Sequence, residues 1–342
     1  MTTPPSAAPV LSVRALDVTY TLSDRRSMQA VDQASFDIAK GETLALVGES
    51  GCGKSSVARA VMGLVPVSGG ATLLEGTDLA NMSRRQLHTV RRRFQMIFQD
   101  PISSLNPRRR IREILLAPLR VNGLYRRVDS ERRMRDVLEQ VGLDPDAVLD
   151  RYPHEFSGGQ CQRISIARAL ILDPVLLVCD EPVSALDVSV RAQVLNVLND
   201  LRARLSLSML FISHDLAVVR NVADRVAVMY LGRICEIGPA ERVLLDSAHP
   251  YTVALLSAVP RADPRAVPRR IALTGEIPSH LDMPAGCRFC TRCPAARDIC
   301  RTTQPALTDI GEGRSVACHF PFSVSAQVFP TPPSSVLQES FA

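Results

Sequence analysis

Short apolar runs recur along the chain and alternate with stretches of helical spacing. Residues 11–19 and 33–39 carry strand-type patterns, and the charged residues from Asp24 to Arg26 between them predict a hairpin or loop. The apolar run 44–47 leads into a glycine-rich stretch and then into residues 57–64 with helical spacing, so strand, glycine loop and helix follow in order. Further buried strands are predicted at 94–98, 175–179, 209–213 and 226–230. Continuous apolar runs separated by helical segments predict an α/β fold with a parallel sheet. Between about 107 and 153 the pattern becomes helical and arginine-rich, with helical stretches at 111–119 and 132–141, which predicts a helical insertion.

The chain has 342 residues, about twice the ~150 of a typical domain, so one large core plus an appended module is expected. With 46% hydrophobic and 22% charged residues it reads as an ordinary globular protein, not a disordered or fibrous one. Lys40 and Lys54 are the only lysines, which singles out Lys54 in its glycine-rich loop. The arginines of the insertion are interspersed with Glu113, Asp129, Glu131, Asp136 and Glu139 and have few aromatic neighbours, so they read as a solvated face and not as a nucleic-acid surface. No run approaches the ~18 apolar residues of a membrane span, and the first ten residues lack a signal-peptide layout, so a cytoplasmic location is expected. Nine cysteines in such a chain argue against a disulfide framework, yet Cys287, Cys290, Cys293, Cys300 and Cys318 crowd together near the C-terminus. They follow a proline- and arginine-rich run at 260–270 and precede a Ser/Pro-rich tail, 323–342, expected to be disordered.

The candidate chemistry begins at Gly48, Glu49, Ser50, Gly51, Cys52, Gly53, Lys54, Ser55 and Ser56, which contain the pattern G-x-x-x-x-G-K-[ST]. Its glycines let consecutive backbone N–H groups face phosphate oxygens, Lys54 supplies a point charge, and the following helix adds the positive end of its dipole. Ser55 can place its hydroxyl on Mg²⁺. The strand 175–179 is closed by Asp180 and Glu181. Alternation separates the two carboxylates, so Asp180 can hold the Mg²⁺ shell while Glu181 polarises an in-line water. Ser157, Gly158, Gly159 and Gln160 precede a helical stretch at 161–172, where a hydroxyl and free N–H groups suit either an anionic oxygen or an ordinary N-cap. Gln99 follows one strand, Ser184-Ala-Leu-Asp187 follows Glu181, and His214 ends another. Each is unremarkable alone, and only their shared order ties them to the phosphate loop.

In that order these residues resemble the nucleotide-binding domain of an ABC-type ATPase over residues 11–238: Walker A loop, Q-loop glutamine, signature, Walker B, D-loop and switch histidine. Phe156 and Cys161 are its visible departures. The resemblance implies an ABC-type P-loop fold that binds ATP and Mg²⁺. It further implies that Tyr20 stacks on adenine, that Gln99 joins Ser55 and Asp180 at the metal and links it to a partner, and that His214 holds the γ-phosphate and attacking water. Ser157, Gly158, Gly159 and Gln160 are then expected to contact the γ-phosphate bound by an opposite subunit. Phe98-Gln-Asp-Pro-Ile-Ser-Ser-Leu-Asn-Pro107, Tyr152-Pro-His-Glu-Phe156, Glu181-Pro-Val-Ser-Ala-Leu-Asp-Val188, His249-Pro-Tyr-Thr252 and Gly286-Cys-Arg-Phe289 resemble the dipeptide/oligopeptide importer ATPases. The last of these, with Arg292-Cys-Pro294, resembles their C-terminal extension, here 239–322, and Pro182-Val-Ser184 resembles the F-type half of the ATPase pair.

The function so implied is an ATP-hydrolysing motor subunit of a peptide importer. It requires a second ABC ATPase subunit, two transmembrane permease subunits and, indirectly, a peptide-binding protein, and it sits on the inner face of the cell membrane. Alternatives are uptake of nickel or another small solute, or a soluble ABC-type ATPase with a zinc module on nucleic acid. That last class needs two nucleotide domains or long coiled coils, and neither is visible. A catalytically dead subunit is at odds with Glu181 and His214. Cys287, Cys293, Cys300 and Cys318 match the cysteine positions of the extension, while Cys290 falls at a variable one. Four thiols in a short proline-rich segment call for a metal as stabiliser. Spacing alone leaves [4Fe–4S] and tetrahedral Zn²⁺ open, and the resemblance favours iron–sulfur. Because the cluster lies far in sequence from Lys54 and Glu181, a structural role is expected.

Overall fold

The computed structural model describes residues 8–23, 26–259, 271, 273, 275, 276 and 278–322. Asp24 and Arg25 of the expected loop, the run 260–270 and the tail 323–342 lie outside the described residues. The chain opens with β1 (Leu11–Thr21), β2 (Ser27–Ile38) and β3 (Thr43–Val47), then α1 (Lys54–Val61), β4 (Gly69–Leu74), β5 (Thr77–Asp78), α2 (Arg84–Val90) and β6 (Phe94–Ile97). A helical region follows, with α3 (Pro101–Ser104), α4 (Ile111–Val121), α5 (Arg127–Gln140), α6 (Pro145–Val148) and α7 (Gly158–Leu170). Next come β7 (Leu176–Asp180), α8 (Val188–Leu205), β8 (Ser208–Ser213), α9 (Leu216–Val222), β9 (Arg225–Tyr230), β10 (Arg233–Pro239), α10 (Ala240–Leu245) and α11 (Pro250–Ser257). The last elements are α12 (Asp298–Thr302), β11 (Thr308–Gly311) and β12 (Arg314–Val316).

Two sheets organise these elements. An antiparallel one has the order β2-β1-β4-β5, and an eight-stranded one runs β11-β12-β10-β9-β3-β8-β7-β6. Pairing is parallel from β6 through β7, β8 and β3 to β9, and antiparallel onward through β10, β12 and β11. Every residue of β3, β7 and β8 is buried, because layers cover both faces, and this explains why their sequences read as unbroken apolar runs. The parallel α/β core is thus as the sequence predicts, and the helical insertion is realised as α4, α5 and α6. Several of its arginines pair with carboxylates, among them Arg112 with Glu131 at 2.5 Å and Arg135 with Asp146 at 2.6 Å.

Three apolar clusters hold the layers together. One joins α4, α5, α7 and α8 to β6–β8 through Leu115, Met134, Ile164, Leu198 and Phe211. A second fills the space between α1, the antiparallel sheet and the other sheet face, through Leu16, Ile38, Val57 and Leu210. The third contains Val47, Val228, Tyr230 and Tyr251, and also Phe289 from the cysteine-rich extension. The boundary expected at 238 falls within β10, whose free edge pairs Glu236 with Val316 and Ile237 with Ser315 of the extension.

Phe289 is 1% exposed and lies edge-on to Tyr230 with ring centroids 5.3 Å apart. Phe289→Ala should cost about 3–5 kcal/mol. Calorimetry or denaturant titration should show one unfolding transition, shifted down. Two separate transitions would mean that the extension is an independent unit.

Candidate nucleotide site

Strand order explains how residues scattered over the sequence reach one place. In a parallel sheet the loops at the carboxyl ends of neighbouring strands share one edge, where ligands of open α/β sheets bind. Gln99 follows β6, Asp180 and Glu181 end β7, His214 follows β8 and Gly48 follows β3, four consecutive strands of the sheet. The Gln99 amide donates to Glu181 Oε2 at 3.1 Å, and His214 Nδ1 lies 3.1 Å from Glu181 Oε1. Glu181 is therefore flanked by both, with a side chain 17% exposed, while that of His214 is 56% exposed. The Glu181 backbone sits at φ 48°, and its N–H donates to the Ile212 carbonyl of β8. That bond holds an otherwise unfavourable left-handed conformation in place.

The phosphate loop is equally constrained. Gly48 has φ 153° and Gly53 φ 107°, and a Cβ would lie 2.2 Å from the Met229 carbonyl oxygen at the first and 2.3 Å from that of Ala30 at the second. Lys54, 5% exposed, begins α1, and its ammonium donates to the carbonyls of Gly48 at 2.8 Å and Glu49 at 2.9 Å. Ser55 Oγ donates to Asp180 Oδ1 at 3.1 Å, which joins two hard oxygen donors suited to Mg²⁺. Burial pushes the Asp180 carboxyl above the ordinary carboxylate range and Glu181 acts in the same direction, against the Ser55 hydroxyl, Arg59 and Lys54. A divalent cation there would reverse that balance. Tyr20, half-buried on β1, donates its hydroxyl to Ser56 at 3.2 Å, so it stands beside the loop.

The signature residues are placed differently. Ser157 caps α7 in a capping box, its hydroxyl accepting from the Gln160 N–H at 3.3 Å while Gln160 Oε1 accepts from the Ser157 N–H at 3.0 Å. Gly159 lies so close to α8 that a Cβ would fall 2.2 Å from a methyl of Val190. Among the described residues no hydrogen bond joins 157–160 to Lys54, Asp180, Glu181 or His214.

The ABC transporter family matches residues 31–184, and the oligopeptide/dipeptide transporter C-terminal region matches residues 235–300. A chain of Brucella ovis named for peptide import and ATP binding is 52% identical over 310 residues, covering 91% of this chain and 97% of its own length. The chain belongs to the ATP-binding proteins of the peptide-import ABC transporters. This ABC ATPase is also 48% identical over 295 residues to the oligopeptide transport ATP-binding protein AppF of Bacillus subtilis, over 85% of this chain and 89% of AppF. Among solved structures, cbiO1 of Clostridium perfringens superposes with TM-score 0.62 at 26% identity, over 69% of this chain and 91% of its own. The ATP-binding cassette MJ0796 matches with TM-score 0.61 at 23% identity, over 67% of this chain and 98% of its own, and shares the fold.

One part of the ABC ATPase was not legible in its sequence. Arg292 pairs with both oxygens of Glu49, His280 faces the Gly51 carbonyl, and the Tyr251 hydroxyl accepts from the Glu49 N–H. Their only sequence signal is that Tyr251 and Arg292 lie inside motifs of the extension. Far in sequence is therefore not far in space, and the cysteine-bearing run passes directly behind the phosphate loop. Cys287, Cys293, Cys300 and Cys318, with Cys290, line one small cavity closed by His249, His319 and Phe320. All are free thiols, and burial pushes Cys287 up to about 12. The donor set suits a thiolate-bound metal, yet among the described residues no group of three or more His, Cys, Asp or Glu side chains is arranged to hold a metal ion.

Gly53→Ala introduces a Cβ at a positive φ and against the Ala30 carbonyl, so it should weaken MgATP binding roughly tenfold or more while the cores stay intact. Titration calorimetry on a variant with native circular dichroism would check this. Unchanged affinity would show that the loop has room to spare.

Proposed function

We propose that this chain is an ATP-hydrolysing motor subunit that drives uptake of di- or oligopeptides through separate permease subunits, as the F-type half of an ATPase pair. The observation that carries the reading is the match of its C-terminal region to the oligopeptide/dipeptide transporters, joined to a Glu181 flanked by Gln99 and His214. In this reading Glu181 accepts the proton of the attacking water, His214 orients that water and the γ-phosphate, and the loop N–H groups with Lys54 hold the phosphates. Ser55, Gln99 and Asp180 would hold Mg²⁺, which neutralises phosphate charge when bound. Tyr20 offers its ring to the adenine.

Ser157, Gly158, Gly159 and Gln160 lie on α7, unconnected to the phosphate loop of their own chain. They complete a second, partner-bound ATP, so two ATPase subunits close over nucleotide. Among the described residues no helix is long and apolar enough to cross a membrane, so transport needs separate permeases, with a peptide-binding protein outside. An open cleft of about 410 Å³ lies between α4 and the β6 side of the core, lined by Gln95, Asn106, Ile114, Val121 and Arg168. Exposed Phe98 and Ile102 flank Gln99 along the chain, and there a permease helix at the inner membrane face can sense the nucleotide site. Peptide, and not nickel or another small solute, is the cargo of this reading.

Glu181→Gln should bind MgATP normally yet lose at least about 100-fold in turnover, because the amide keeps the shape and loses the base. With Mg-free ATP and its partner ATPase the same variant should accumulate as a dimer on size-exclusion chromatography. Near wild-type hydrolysis would remove Glu181 from its role, and monomer throughout would remove the two-subunit site.

The convergence of the cysteines on one cavity supports a further part of the reading, a [4Fe–4S] cluster on Cys287, Cys293, Cys300 and Cys318, with Zn²⁺ as the alternative. Ligation would require the thiols to lose their protons and close on the metal. Protein purified without oxygen should be brown and contain iron and acid-labile sulfide. Stoichiometric zinc in colourless protein would reassign the metal, and neither metal, with unchanged stability after all four become Ser, would end the idea.

A further inference from the structure

Glu49 places a carboxylate in a loop that must receive a polyanion. Inside that loop Lys54 is the only cation. The carboxylate does not stand free. Arg292 Nη1 donates to one of its oxygens at 2.8 Å and Nη2 to the other at 3.1 Å, a bidentate pair. Arg292 is itself 9% exposed and also donates to the Tyr230 hydroxyl at 3.3 Å. It reaches the loop from the extension, 243 residues further along the chain. Two more extension contacts fix the same loop. The Tyr251 hydroxyl accepts from the Glu49 N–H at 2.9 Å, and the His280 ring bridges the carbonyls of Gly51 at 2.8 Å and Gln29 at 3.1 Å.

Without its partner, the Glu49 charge would repel phosphate at short range in a site where half-buried groups are poorly screened. A guanidinium fixed by two hydrogen bonds cancels that charge and fixes the direction of the side chain. We propose that Arg292 is a positioning residue for nucleotide binding, a cation by which the C-terminal extension neutralises Glu49 and shapes the phosphate loop for ATP. The inference rests on ATP binding at residues 48–55 and is independent of which solute is carried. It makes nucleotide affinity a property of the extension as well as of the conventional loop residues.

The test is titration calorimetry of MgATP on the full chain. Arg292→Gln should weaken binding about tenfold, whereas Arg292→Lys, which keeps the charge, should stay within about threefold of wild type. The double change Arg292→Gln with Glu49→Gln should return affinity to within about threefold of wild type, which a purely structural contact would not do. Unchanged affinity in Arg292→Gln overturns the proposal, and so does a loss that the double change leaves in place. Should Arg292→Gln fail to fold, Glu49→Gln alone decides. With Arg292 then uncompensated beside the loop, MgATP should bind more tightly, and equal or weaker binding overturns the proposal. A wild-type chain that binds no MgATP overturns the nucleotide reading itself, and the role of Arg292 falls with it.

Discussion

The site depends on how closely the phosphate loop is pressed against neighbouring backbone. Gly48 and Gly53 leave no room for a side chain against the carbonyls of Met229 and Ala30, so the loop's course is set by β9 and β2 as much as by its own sequence. The start of α1 follows from that course, and with it the positions of Lys54 and Ser55. Ser55 in turn meets Asp180 at the end of β7, and the β7–β8 pairing brings Glu181 to His214. Parallel pairing with matched strand ends thus converts separate loops into one polar edge.

The strands that carry this edge were legible because they are buried on both faces. An unbroken run such as Leu-Leu-Val-Cys-Asp in β7 has few other readings, and polar residues at its end stand out. The order β6, β7, β8, β3 cannot be read from spacing, yet the residues closing those strands could be named before their adjacency was known. Strands β10, β11 and β12 were missed for the opposite reason. They are mixed in polarity, β10 and β11 each contain a glycine, and β11 and β12 have only four and three residues, so no unbroken apolar run marks them. The cysteines were visible as a cluster, and their convergence on one cavity agrees with that. Their distance in sequence from Lys54 gave no sign that Arg292, between two of them, would reach the phosphate loop, because chain separation says nothing about folding back across a sheet.

Charge pairing ties that fold-back down. Asp32 on β2 accepts from Arg233 of β10 at 2.8 Å and also from Arg288 of the cysteine-bearing run. All three are largely buried, so removing Asp32 would leave two guanidiniums without a counter-charge in a poorly solvating interior, a cost of about 3–5 kcal/mol, whereas loss of either arginine leaves Asp32 paired with the other. Buried pairs of this kind add little net stability over apolar packing, but they discriminate sharply against misplacement. Here they set where the extension lies, next to the loop that Arg292 reaches.

The pairing of β12 with β10 also guards the rim of the main sheet. β10 carries buried Ile234, Cys235 and Ile237 next to the largely buried β9, and an uncovered rim there would offer a row of open amides and carbonyls to any passing chain. Behind β12 the sheet ends on β11, four residues with two exposed polar side chains and a closing glycine, a poor template for further growth. A fragment cut at residue 238 to isolate the catalytic core would sever β10 and bare this rim, and its behaviour in solution would be that of a sticky edge instead of a minimal ATPase.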